Sequence, residues 1–428
     1  VGIVVANMIG AGVFLSAGFM AQDLGPGHIL LAWGVGLVLA LAGALTYATV
    51  AERLPRSGGE YRYLSELLHP ALGALAGWAS LLLGFTAPIA VDALAAGAFA
   101  QLLWPGLPPK AVAVGLVVTL TGLHAWGLEQ SLRTQNLLVA LKILLVAGFV
   151  LLGVLGGSHT WPDWQPPRAS EGFPLAAFMG SLFYIAFAFS GWNAAIYAAE
   201  EFHSPRRDVP RAMLLGALTV GGLYLLVNWV FVANLTPDQA SAVFRYEAER
   251  VTLGHLITRG LIGESGAAAM SGLMVVAFAS AMSAMTFLGP RVIAAMARDG
   301  YLPRGLAGRP GRPPRAALAL QAGLCLLIVF FHDLGQVLQN VGAVLTLFSA
   351  LVALGLLRLG LTRGPGRPAG PRLAAAGLVV LSAAWMLYFG FKDSPSLLLW
   401  IGAVAGTALG AHGLGRIRAR LKSPPETR

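Results

Sequence analysis

The sequence predicts an all-α membrane protein with twelve transmembrane helices, and three observations carry that prediction. The 428-residue chain is 57% hydrophobic and only 11% charged, with a mean hydropathy of +0.72, whereas a soluble domain carries about 25% charged residues. Apolar stretches long enough to cross a bilayer, about 20 residues each, recur from one end to the other. The connectors between them alternate in charge.

The expected spans lie near 1–22, 28–51, 72–102, 110–127, 131–155, 173–201, 211–234, 264–297, 314–331, 334–359, 373–391 and 395–415. Three of them exceed what a bilayer needs, which points to tilt. Val1 already stands in an apolar stretch, so the true start and any cytoplasmic tail are expected upstream. The opening residues lack a basic n-region and a clear cleavage site, which argues against a signal peptide. Residues 235–262 are too polar to span and are expected to form an external loop with short helix.

One set of connectors, together with the C-terminal tail, holds 22 of the 29 cations, among them Arg53, Arg56, Arg62, Arg206, Arg207, Arg211, Arg298 and Arg372. The opposite set holds 6, namely Lys110, Arg168, Arg245, Arg250, Arg259 and Lys392. Cytoplasmic loops of membrane proteins are enriched in Lys and Arg. Both termini are therefore expected in the cytoplasm of a multi-pass cell-membrane protein, as an even span count requires. The same distribution argues against nucleic acid as the reason for the net charge of +10. The lone Cys325 sits in a span, which excludes an intrachain disulfide. His124, His255 and His332 show no metal-ligand spacing. No HExxH, GxSxG or P-loop pattern occurs. An enzyme, a resident metal and a cofactor are accordingly not expected.

Span 1 is interrupted by Ile9-Gly10-Ala11-Gly12. Glycine tolerates torsions that other residues resist. Main-chain groups freed inside a membrane persist only where protein, water or a ligand takes them up. Span 6 is interrupted in the same manner at Phe189-Ser190-Gly191-Trp192-Asn193, 180 residues and five spans further on. Interruptions at corresponding places in successive halves point to an inverted-repeat secondary transporter. The expected organisation is a first repeat over 1–155, a second over 173–359, and two additional helices over 373–415.

Four motifs in order, NMIGAGVF (7–14), ERLPRSGGEYRYL (52–64), FSGWNAAIYAAEE (189–201) with SPRRDVPRA (204–212), and RVIAAMARDGYLP (291–303), resemble the amino acid–polyamine–organocation superfamily. Its L-amino-acid-transporter-like permeases are the nearest group, and the likeness runs over essentially the whole chain. The resemblance implies a five-plus-five inverted repeat and alternating access to an amino-acid site at mid-membrane. Carried onto this chain, Ile9, Gly10, Ala11 and Gly12 bind the substrate carboxylate through main-chain N–H groups, as a helix N-terminus favours. Carbonyls from Phe189, Ser190, Gly191 and Trp192 receive the α-amino group. Phe189 and Trp192 are candidates for the walls and gates of that site, and Asn193 is counted with its substrate-binding residues.

Two charges fall inside spans. Lys142 lies about 13 Å into its helix, counted from Arg133 at 1.5 Å per residue, which is close to mid-membrane. Such a lysine costs about 2.5–3.5 kcal/mol on insertion scales and needs a reason. In sodium-independent members of the resembled family a lysine in span 5 occupies the sodium region. Lys142 is the corresponding residue, with Gly10 or its neighbours and Ser280 or Ser283 as its partners. Asp92, in span 3, is a candidate for substrate contact or proton exchange, or for a place in water near the outer surface. Glu200 and Glu201 are expected to pair with Arg206 or Arg207, or to cap a helix end.

The resulting expectation is a sodium-independent amino-acid permease working by exchange or proton-coupled uptake. Span 6 offers no acidic trap for arginine-like side chains, which favours neutral substrates. A permease for cationic amino acids or polyamines and a non-transporting sensor are the competing readings.

Overall fold

The computed structural model describes the backbone of the chain except residues 127–131, 159, 168–171, 310–311, 362–367, 394–395 and 421–428. It further leaves out the side chains of 132–139, 198, 201, 393, 396, 409 and 411–420. Arg133, Arg168, Glu201 and the Arg-rich stretch at 362–367 therefore lie outside the described side chains.

The regular structure of the described residues is all helical, with no strand among them. The first span is two pieces, α1 (Gly2–Met8) and α2 (Ala11–Met20). Next come α3 (Pro26–Ala51), the short α4 (Glu60–Leu67) and α5 (Pro70–Ala79). A π-helical stretch, Ser80–Thr86, joins α5 to α6 (Ala87–Leu103). The series continues with α7 (Pro109–Ala125), α8 (Leu132–Gly156) and α9 (Leu175–Ala188). A 3-10 segment (Ala194–Glu201) leads into α10 (Pro205–Asn234), α11 (Pro237–Arg245), α12 (Glu247–Val251) and α13 (Leu253–Arg298). Last come α14 (Arg315–Phe331), α15 (Leu334–Leu361), α16 (Gly370–Asp393) and α17 (Ser396–Arg420).

Proline starts many of these helices. Pro26, Pro70, Pro109, Pro205 and Pro237 sit at the first turn, where the missing N–H would have had no helical partner. α11 opens with a capping box between Thr236 and Gln239, which satisfies two orphan donors at once.

Among the described residues, seven helical stretches are long and apolar enough to cross a membrane, and five shorter apolar helices accompany them. The first span is 89% buried within protein and α16 only 33%, so the broken span runs through the centre while α16 lies at the rim. Leu144 on α8 and Leu381 on α16 present 67% and 71% of their surface outward, as side chains facing lipid would. α10 packs on α3, α13 on α6, and α15 on both α9 and α16.

Two of the overlong spans owe their length to something besides tilt. The π-helical stretch sits inside Pro70–Leu103, and the apolar run at 173–201 is two pieces around a turn. The polar stretch at 235–262 is helical rather than a loop with a little helix. It holds α11, α12 and the first ten residues of α13, and a break at Gly263 (φ 78°) separates these from the span that follows.

Contacts between connectors agree with the charge alternation. Tyr61 Oη donates to Asp299 Oδ2 at 2.8 Å, with Arg62 on the same carboxylate at 3.4 Å. Arg372 grips Glu52 with both guanidinium nitrogens. Glu200 bonds Ser57 in both directions, its N–H to Ser57 Oγ at 3.0 Å and its Oε1 to the Ser57 N–H at 3.4 Å. The connectors after spans 2, 6, 8 and 10 thus meet on one face. On the other, Arg250 donates to Gln22 Oε1 at 3.0 Å. Glu200 is engaged with the connector after span 2, not with Arg206 or Arg207.

Candidate functional site

The first break is narrower than the sequence suggests. Only Ile9 (ψ 94°) and Gly10 (φ −134°, ψ −160°) leave helical geometry, while Ala11 and Gly12 form the opening turn of α2. Three spans take up the groups this break frees. Lys142 Nζ on α8 donates to Ala6 O at 3.4 Å and Ile9 O at 3.3 Å. Tyr224 Oη on α10 donates to Met8 O at 2.5 Å. The Ala11 N–H donates to Asp92 Oδ1 of α6 at 2.7 Å. All three side chains are buried, so each bond forms away from water, where leaving its partner unpaired is costly.

Asp92 therefore holds a main-chain N–H that the sequence reading reserved for a substrate carboxylate. Its other oxygen, Oδ2, is buried without a hydrogen-bond partner. A Cβ built on Gly10 would lie 3.1 Å from Oδ1, so the carboxylate rests directly against the bare backbone. It sits inside the protein, 3% exposed, not in water at the outer surface. Ser283 hydrogen bonds with His124 Nε2 at 3.0 Å. Ser280 is half-buried on the same helix.

The second break is a turn at Ser190–Asn193 in which Gly191 adopts φ +97°. A side chain there would be strained, and its Cβ would meet the carbonyl carbon and oxygen of Asn7 at 2.8 Å. Glycine thus lets the second break touch the first. Gly12 repeats this closeness, since a Cβ on it would lie 2.7 Å from Ala188 Cα. The sequence placed the two interruptions 180 residues apart, and the fold brings them into contact.

Beside this contact lies a cavity of about 1130 Å³, its open mouth included. Phe189, Ser190, Gly191, Trp192 and Asn193 all line it, as does Asn7, whereas Ile9 to Gly12, Lys142, Asp92, Ser280 and Ser283 do not. Its walls are mainly apolar, with Leu39, Phe85, Ile185, Met285 and Leu345 among them. Trp192 stands edge-on to Tyr47 with ring centroids 4.7 Å apart, and Phe189 packs on Tyr224 at 5.4 Å.

One lining residue was not foreseen. Glu60, the first residue of α4, is only 4% exposed. Its Oε1 accepts from Tyr47 Oη at 2.7 Å and from Asn193 Nδ2 at 3.1 Å. Burial pushes its carboxyl up to about 7, although both hydrogen bonds act in the opposite direction. The sequence reading looked for an acid in span 6; the structure brings one to that span's break from the connector after span 2. The available signal was the Gly-Gly pair before Glu60. Gly59, at φ +67°, passes so close to Tyr197 that a Cβ would lie 2.2 Å from its ring.

The arrangement has no nucleophile–base pair in its cavity. It offers exposed main-chain dipoles, an apolar chamber and a few polar groups, which suits reversible binding of a small molecule. The comparisons agree. The Amino acid permease family profile matches residues 1–406. The chain is 27% identical to the human large neutral amino acids transporter small subunit 2, over 92% of this chain and 75% of that one. It is equally similar, at 27% over the same shares, to the mouse Asc-type amino acid transporter 1. An uncharacterized transporter of Mycobacterium bovis is 32% identical over 97% of this chain and 89% of its own. The chain is a multi-pass transporter rather than an enzyme, and it belongs to the amino acid permease family, with L-amino-acid-transporter-like members of the wider superfamily as its relatives.

Proposed function

We propose that this permease is a secondary transporter that moves amino acids across the cytoplasmic membrane by alternating access, independently of sodium. Neutral L-amino acids are its main cargo, taken by exchange or proton-coupled uptake. Twelve spans arranged as 1–155, 173–359 and 373–415, with both termini in the cytoplasm, complete the reading.

One observation carries it: the buried Lys142 ammonium lies on the Ala6 and Ile9 carbonyls at the first break. Carbonyls freed at helix ends are what a transporter uses to coordinate a cation. Here a covalently attached cation holds them, so the break needs no metal ion. The cavity beside the two breaks supports the same reading.

Substrate would lie between the breaks. Its α-amino group would meet carbonyls of Phe189 to Trp192, and its carboxylate the N-terminus of α2 at Ile9 to Gly12. Asp92 now occupies that N-terminus, so the substrate carboxylate and the Asp92 carboxylate compete for the Ala11 N–H. Such competition gives the bound and empty states different hydrogen-bond patterns, and a ligand shifts an equilibrium only through such a difference.

The test is uptake of radiolabelled neutral amino acids into proteoliposomes, in sodium chloride and in choline chloride. Equal uptake in both salts is the expected outcome. Uptake that needs sodium would remove Lys142 from its assigned role, and absence of any flux would remove transport itself.

A further inference from the structure

The Glu60 carboxylate stands alone in its surroundings. Among the described residues it is the one acidic side chain lining the cavity. Among the described residues no Lys, Arg or His lies within ion-pair distance of it. Both of its donors, Tyr47 and Asn193, converge on Oε1. Among the described residues Oε2 has no donor, in a pocket whose walls are mostly apolar. A buried carboxylate without a counter-charge either keeps its proton or waits for a cation.

The groups around it narrow the choice. From α3 it meets Tyr47, and from the 3-10 segment of span 6 it faces Tyr197, with Asn193 just before it. Tyr63 stands on its own helix. The neighbouring α5 carries no ionisable side chain, and α15 turns Leu345, Thr346 and Ser349 to the cavity. None of these supplies positive charge. Two successive positive-φ glycines, Gly58 and Gly59, make the turn that delivers this carboxylate, a conformation glycine adopts readily.

We propose that Glu60 lets the cavity accept amino acids whose side chain ends in an ammonium group, the cargo's cation replacing a proton on the carboxyl. This rests on the transport reading above and widens its substrate range. The exchange balances: the carboxylic acid and the incoming ammonium yield a carboxylate–ammonium pair, and one proton leaves through the open mouth to water. A neutral cargo leaves the protonation of Glu60 as the pH sets it, so below about pH 7 the cavity carries the same net charge with either cargo. The elevated Glu60 carboxyl, near 7, places this exchange in the physiological range.

The purified full-length protein tests the proposal, with L-lysine and L-leucine as probes. Lysine affinity should rise about a hundredfold between pH 5 and pH 8, as a carboxyl titrating near 7 dictates, while leucine affinity stays level. In weakly buffered solution at pH 6, lysine binding should release nearly one proton and leucine none. Glu60→Gln should abolish the lysine pH profile and lower lysine binding at pH 8 at least tenfold more than leucine binding. Glu60→Asp, which keeps the acid, should retain the pH profile and guards against a folding defect in the first variant. Lysine affinity indifferent to pH overturns the proposal, as does lysine binding without proton release. Proton release on leucine binding would put the α-ammonium at Glu60 and overturn the side-chain assignment. Failure of leucine itself to bind or be transported would instead defeat the transport reading.

Discussion

Asp92 accepts the Ala11 N–H at 2.7 Å, so a carboxylate from span 3 caps the second half of span 1. The cap is local in geometry but joins residues 81 positions apart. Asp92→Ala would leave a buried N–H unpaired and deprive the Lys142 region of negative charge. Loss of a hydrogen bond to a charged group costs about 1.5–3 kcal/mol. A lower thermal midpoint of the detergent-solubilised variant, by an amount matching that range, is the expected result.

Lys142→Ala removes the donor that the Ala6 and Ile9 carbonyls share. The variant should still insert, since an alanine is easier to place in a membrane than a lysine. Transport should fall at least tenfold, because the first break loses the group that fixes it. Uptake and surface abundance measured on the same cells would check this, and full uptake would remove the lysine from the mechanism.

Gly191→Ala tests the contact between the two breaks. An L-residue at φ +97° costs about 1–2 kcal/mol in backbone strain, and its methyl would press on the Asn7 carbonyl at 2.8 Å. Substrate affinity should drop with little loss of folded protein, as a stability-shift titration with a transported amino acid would read out.

Tyr224→Phe deletes the hydroxyl on Met8 O and leaves the ring that packs on Trp33 and Phe189. The expected loss is about 1 kcal/mol of stability, visible as a lower denaturation midpoint, with ring packing intact.

Glu60 also sets a pH dependence of stability. Its carboxyl sits near 7 in the folded state, against 4.5 ordinarily, so between those values the folded protein holds a proton that the unfolded chain has lost. Stability from this group is therefore full below about pH 4.5 and declines as pH rises through 7, by ~3 kcal/mol at 1.36 kcal/mol per pH unit. Melting curves at pH 5 and pH 8 should show the decline in wild type and a smaller one in Glu60→Gln.

The class of fold and both breaks were legible in the sequence. Glycines inside an apolar run carry a local signal, and local signals survive in one dimension. Lys142 and Asp92 stood out because charge inside a span is rare. Their partners did not, since Asp92 meets Ala11 across 81 residues and Lys142 meets Ile9 across 133. Glu60 was hidden for a related reason. It belongs to a polar connector where acids are ordinary, and only the fold shows that Gly58 and Gly59 turn it inward beneath Asn193, itself 133 residues away. Tyr224 and Asn7 read as plain span residues until their neighbours were known.

α1 reaches the first break at Met8. Its C-terminal end is fastened by two unrelated clasps, an ammonium from α8 and a phenol from α10. Displacing this half-helix would break both, so the two clasps together resist its movement.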